Sequence, residues 1–205
     1  GVLDIDVSGW GVDMLAFSGH KGLYGPTGVG VLCVGEEVRL RPLRQGGTGG
    51  FLSDLPLQPA EMPWALEAGT LDVVGIAGVL AAVRWLRGIG SARVRGKHFN
   101  LTRRLLASLV VHPNVTVYEA APVVGIVAFN LDGWEPAEVA RVLDESYGVG
   151  VAAGLMCAPD AHRVLGTFPA GAVRASIGIR SRESDVDTLS DAIEKLAAAA
   201  IYNGE

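Results

Sequence analysis

Residues 16–32 read AFSGHKGLYGPTGVGVL, placing Lys21 after an apolar run and before a stretch with almost no side chains. A lysine amine is protonated and a poor nucleophile in neutral water. Desolvation lowers its pKa and frees the lone pair to attack an aldehyde. Ser18 and His20 add a hydroxyl and an imidazole beside it, and the small residues that follow let a bulky ring come close. The segment GPTGVG fits neither a dinucleotide nor a P-loop fingerprint, so a nucleotide site has little support. The plain alternative is a surface lysine in a glycine-rich turn.

Two more residues stand out. Cys157, in GLMCAPDAH, is expected on a loop just past a strand, where a thiol is exposed. A lone loop cysteine is usually inert unless a cation lowers its pKa, and His162 and Arg163 follow at five and six residues. Cys33, inside GVLCVG, reads as a small buried hydrophobe. Arg174 interrupts the small and apolar run GAVRASIG. It either faces solvent at a sheet edge, the reading its strand favours alone, or points into a cleft to grip a carboxylate with its fork.

These residues need elements to position them. Asp13–Ser18 and Val29–Gly35 read as short buried strands joined by the turn-rich GHKGLYGPTG, which carries Lys21 to a strand end. Residues 42–63, rich in proline and containing QGGTGG, form a long irregular segment of the kind usually functional or interfacial. Helical spacing follows from Val74 to Leu86, ended by Gly88 and Gly90, and again over 91–110, where five basic residues read as a solvated face. Strands are expected at 115–120, 125–131, 148–154 and 172–179. A helix at 135–146 and a closing helix capped by Ser181 complete the order. The economical reading is two lobes, 1–90 and 91–205.

The bulk numbers exclude several classes. The 205 residues are 49% hydrophobic and 19% charged with 28 glycines, which fits a compact fold and not a disordered chain. A net charge of −5 gives no broad basis for nucleic acid or anionic membrane binding. The longest apolar run, Val73–Val83, is too short to span a bilayer. Two cysteines make no disulfide framework, so a reducing, cytoplasmic setting is expected.

Taken in order, FSGHKGLYGPTGVGVL, QGGTGG, EAGTLD, GLMCAPDAH followed by GT, and GAVRASIG resemble the cysteine desulfurases of the class V aminotransferase family. That resemblance implies an α/β protein of the PLP-dependent transferase fold type I, PLP being pyridoxal 5′-phosphate. Residues 1–90 would be a partial, PLP-binding large domain and residues 91–205 a C-terminal α+β small domain. It implies that Lys21 bonds the cofactor covalently and moves the substrate Cα proton, and that Ser18 and His20 hold the cofactor phosphate. Thr70 would reach the phosphate at a neighbouring subunit's site, which implies a homodimer. Cys157 would accept sulfur from L-cysteine and pass it to a sulfur-acceptor protein, and Arg174 would bind the substrate carboxylate.

The family's chains are longer, and an N-terminal half bearing the aspartate that pairs with the pyridine nitrogen has no counterpart here. The expectation is a C-terminal half. Where the family commonly has Arg and His near its cysteine, this chain has Ala152 and Met156. Two alternatives therefore stand beside the desulfurase: a related class V aminotransferase or lyase without a cysteine nucleophile, and a non-catalytic dimerisation or binding module.

Overall fold

The computed structural model describes residues 1–47, 56–118 and 122–202. The end of QGGTGG and residues 119–120 of the expected third strand lie outside them. The chain divides into two compact units, essentially Leu3–Ile89 and Gly90–Glu205.

In the first unit, β1 (Met14–Ser18) and β2 (Gly30–Val34) form an antiparallel ribbon with Ala16 opposite Leu32 and Ser18 opposite Gly30. The strands were expected to be buried, and they are not: Met14 is 49% exposed, Phe17 37% and Leu32 48%. Cys33 is likewise exposed, which corrects the reading of it as a core residue. Two strands paired only with each other cover little of either face, and apolar composition does not supply the missing layer.

Helix α1 (Val73–Ile89) begins where the Asp72 carboxylate accepts the Gly75 N–H at 2.9 Å, an N-cap that satisfies an otherwise orphaned donor. The helix runs through Gly88 and stops at Ile89, before Gly90 at φ 89°. Only one of the two expected glycine breakers therefore ends it. The loop between β1 and β2 lies flat on this helix. A Cβ at Gly25 would come within 2.7 Å of Val79 Cγ2, and one at Gly78 within 2.8 Å of the Pro26 ring. Glycine on both surfaces permits that approach. Tyr24 meets Trp85 edge-on, with ring centroids 5.7 Å apart.

The second unit holds the main core. Strands β3 (Val115–Tyr118), β4 (Ile126–Leu131), β5 (Ala152–Gly154) and β6 (Ala172–Ser176) form an antiparallel sheet in the order β3-β4-β6-β5. Successive strand side chains point to opposite faces. Val127, Phe129, Leu131, Val173 and Ala175 share one core with three helices: α2 (Ser91–Leu109), α3 (Pro136–Tyr147) and α5 (Glu183–Tyr202). The other face carries Ala128, Asn130, Ala152 and Arg174.

The basic residues of α2 are not all solvated. Lys97 Nζ donates to the Ile179 carbonyl at 2.6 Å, and Arg104 grips Asp187 through two hydrogen bonds of 2.6 and 2.9 Å. Ser181 does not cap α5: its hydroxyl accepts the Gly178 N–H at 3.0 Å, while the Asp185 carboxylate accepts the Arg182 N–H. A short helix α4 (Pro159–Leu165), which the sequence pattern did not signal, follows Cys157.

Candidate active site

Ser18 closes β1, and the chain turns at once: the Gly19 N–H donates to the Val29 carbonyl at 2.9 Å and the Gly25 N–H to the Gly19 carbonyl at 2.8 Å. His20 and Lys21 thus lie, just past Ser18, on the tight loop that joins β1 to β2. Its floor is α1, because a Cβ at Gly19 would come within 2.8 Å of Val79 Cγ2. His20 and Lys21 are exposed and Ser18 is half-buried. The desolvation expected for Lys21 is therefore not provided by the described residues, which leave the lysine exposed. Its amine makes no hydrogen bond or ion pair among the described residues. Thr70 is exposed two residues before the Asp72 cap, next to Gly69, whose N–H donates to the Gly47 carbonyl at 2.7 Å.

In the second unit, β5 ends at Gly154 and the chain reverses through Leu155–Ala158. The Ala158 N–H donates to the Leu155 carbonyl at 2.8 Å, with Met156 at φ 48° and Cys157 at φ 61°. Two consecutive left-handed residues make this a type I′ turn, a conformation that disfavours side chains with a Cβ. Cys157 is exposed at its tip. Neither His162 nor Arg163 is committed to it. His162 is buried and its Nδ1 lies 2.7 Å from Thr167 Oγ1, while Arg163 pairs with Asp160 at 2.5 Å and stacks on Phe168 at 4.5 Å.

Arg174 is not at a sheet edge. It sits on β6 between Ala128 of β4 and Ala152 of β5, both directly opposite it. Its Nε is buried without a hydrogen-bond partner among the described residues. The residues directly opposite it on both sides are alanines, whose methyl groups offer the guanidinium no acceptor. The strand order overturns the edge reading. Arg174 lies on β6 and Cys157 on the turn that follows its neighbour β5, both in the second unit, whereas Ser18, His20, Lys21 and Thr70 belong to the first.

Sequence reasoning missed Asn130. Its amide nitrogen donates to the Tyr118 hydroxyl at 3.2 Å and to the Gly171 carbonyl at 3.0 Å, and its oxygen accepts the Val173 N–H at 3.2 Å. A polar residue at a half-buried strand position was the available signal. Among the described residues no cluster of His, Cys, Asp and Glu could hold a metal ion.

An antiparallel sheet backed by helices in one unit, and a lysine loop laid on a helix in the other, define a mixed α/β protein. The chain belongs to the aminotransferase class-V family, whose sequence profile matches residues 1–189. It is 33% identical over 202 residues to a probable cysteine desulfurase of Methanothermobacter thermautotrophicus, covering 96% of this chain and 50% of that one. Its structure is similar to the apo cysteine desulfurase of Thermococcus onnurineus, with TM-score 0.87 and 33% identity over 97% of this chain and 50% of the other. The cysteine desulfurase CsdA of Escherichia coli is similar at TM-score 0.84 and 33% identity, over 95% and 48% of the two chains. The chain spans about half the length of the relatives it matches. The α/β fold is that of the fold type I PLP-dependent transferases. No single helix among the described residues is long and apolar enough to cross a membrane.

Proposed function

We propose that this chain carries the lysine, cysteine and arginine of a PLP-dependent cysteine desulfurase, which converts L-cysteine to L-alanine and leaves the sulfur as a persulfide on Cys157. The observation that carries this reading is that the reactive groups it requires are all uncommitted. The Lys21 amine and Cys157 thiol are exposed, and the Arg174 Nε has no partner among the described residues. Residues 1–90 are read as part of the cofactor-binding large domain and residues 91–205 as the small C-terminal domain.

The donor set suits the cofactor. An amine, a hydroxyl and an imidazole stand within four residues, at a loop that glycines keep close to α1. Lys21 would bond the aldehyde, with Ser18 and His20 on the phosphate. Thr70 would serve the phosphate at the neighbouring subunit's site in a homodimer. When bound, PLP supplies an electron sink that lets the substrate's Cα proton leave.

The chain's own residues do the rest. Arg174 holds the α-carboxylate of cysteine and so fixes its orientation. Lys21 Nζ takes and returns the Cα proton. Cys157 Sγ, as thiolate, bonds to the substrate sulfur while the substrate Cβ–S bond breaks. The electron pair left at Cβ takes a proton, and alanine departs. The outer sulfur of the exposed persulfide is then open to attack by an acceptor protein's thiolate, with the Cys157 thiolate as leaving group.

A second reading, a class V aminotransferase or lyase without a cysteine nucleophile, is favoured by one observation. Ala152 and Met156 supply no cation beside Cys157, and His162 and Arg163 have other partners. A thiolate without a neighbouring cation is costly to form.

The test adds PLP to the purified chain. A visible absorbance band that borohydride bleaches and Lys21→Ala abolishes supports both enzyme readings. Sulfide released from cysteine and lost in Cys157→Ser selects the desulfurase, and colour without sulfide selects the second reading. A colourless chain overturns both and leaves a binding or dimerisation module.

A further inference from the structure

The turn that carries Cys157 is held in an unfavourable backbone conformation, with two consecutive left-handed residues that are not glycine. Each costs on the order of 1–2 kcal/mol. Such a turn persists only where the structure at its ends over-determines it, and the second unit shows what does so.

Ahead of the turn, Gly154 lies against Gly171 so closely that a Cβ on Gly171 would overlap the Gly154 carbonyl. Beyond the turn, α4 is tied down by His162. Its Nδ1 meets Thr167 Oγ1 at 2.7 Å, and its carbonyl accepts the N–H groups of Thr167 at 2.9 Å and Phe168 at 3.2 Å. The two attachments belong to one short loop, closed on itself where the Gly171 N–H donates to the Thr167 carbonyl at 2.7 Å. Asn130 fixes that loop to the sheet through the Gly171 carbonyl and the Val173 N–H.

We propose that the loop from Thr167 to Gly171 is a brace gripping both ends of the Cys157 turn, with Thr167 and Asn130 as positioning residues that determine where the thiol stands. The significance of the brace rests on the sulfur-transfer reading of Cys157, since a nucleophile that must meet a substrate sulfur gains from one fixed location. The hydrogen bonds and contacts that make the brace are independent of that reading.

The experiment is amide hydrogen exchange on the full chain without cofactor, read at the Ala158 N–H that closes the turn. Thr167→Val keeps the shape of the side chain and removes its hydroxyl. It is expected to speed Ala158 exchange about tenfold, the scale of one lost hydrogen bond, while the amides of β1 and β2 stay unchanged. Thr167→Ser restores the hydroxyl and is expected to exchange like the parent. Gly171→Ala, which pushes on Gly154 from the other end, is the second variant and should loosen the same amide, so the outcome does not depend on one protein folding. Unchanged Ala158 protection in both Thr167→Val and Gly171→Ala overturns the proposal, as does a Thr167→Ser protein as labile as Thr167→Val. Failure of the sulfur-transfer reading shows elsewhere, as sulfide production that survives Cys157→Ser.

Discussion

Ala152 stands directly opposite Arg174 across β5 and β6, so a methyl group lies where a carboxylate could have neutralised the guanidinium. With Ala128 opposite on the other side, the arginine is left with a buried Nε that no described residue satisfies. A buried donor left without a partner weakens the fold. Arg174→Met should therefore raise stability by about 1 kcal/mol, a Tm gain of roughly 2–4 °C. Thermal melting checks this. The same variant should lose cysteine binding in calorimetric titration of the PLP-loaded protein.

Lys21 makes no hydrogen bond or ion pair among the described residues. Lys21→Ala should leave stability within about 0.5 kcal/mol of the parent, as surface substitutions do. A urea titration reads this directly. A larger loss would mean that the lysine holds the loop together, and a structural role would replace the covalent one.

Gly25 is pressed on two sides, and an added Cβ would come within 2.7 Å of Val79 Cγ2 and 2.8 Å of the Gly19 carbonyl. Gly25→Ala should cost about 1–3 kcal/mol, the usual penalty for overpacking. Because the same loop carries His20 and Lys21, just past Ser18, PLP affinity measured by absorbance titration should fall with it.

Burial, with Lys97 adding to it, pushes the imidazole of His98 below its ordinary pKa of 6.5. Both ring nitrogens and the hydroxyl of Thr102 one turn on are buried without partners among the described residues. Between the lowered and ordinary values the unfolded chain binds more protons than the folded one, so stability rises with pH through that window. The contribution of His98 is complete above about pH 6.5 and is lost as the pH falls. Melting curves from neutral to mildly acid pH should show this decline, and His98→Leu should flatten it.

Both cysteines are exposed. Iodoacetamide should modify Cys33 and Cys157 without denaturant, and peptide mass mapping would show both. A protected Cys33 would show that the face of β2 is covered in solution.

How much of this was legible in the sequence depended on distance along the chain. The strand before Lys21, the turn after it and the helix from residue 73 follow from local pattern, and each is present within a few residues of its expected bounds. The exposure of Phe17 and Cys33 was not legible, because alternation and apolar content describe a strand and not the layer that covers it. Arg174 was read towards an edge, and only the strand order, which places β6 between β4 and β5, shows it to be internal. The Ser181 cap failed because the hydroxyl found a closer partner in the Gly178 N–H. His162, Thr167 and Asn130 gave no local signal of their joint task, since their contacts are made across the sheet and around a loop.

The outward-facing Met14, Phe17 and Leu32 of the first unit bear on how the molecule behaves in a flask. Apolar side chains on an uncapped two-stranded ribbon favour self-association. Handled alone, this polypeptide should be retained on phenyl resin and salt out at low ammonium sulfate, and mild detergent should keep it dispersed.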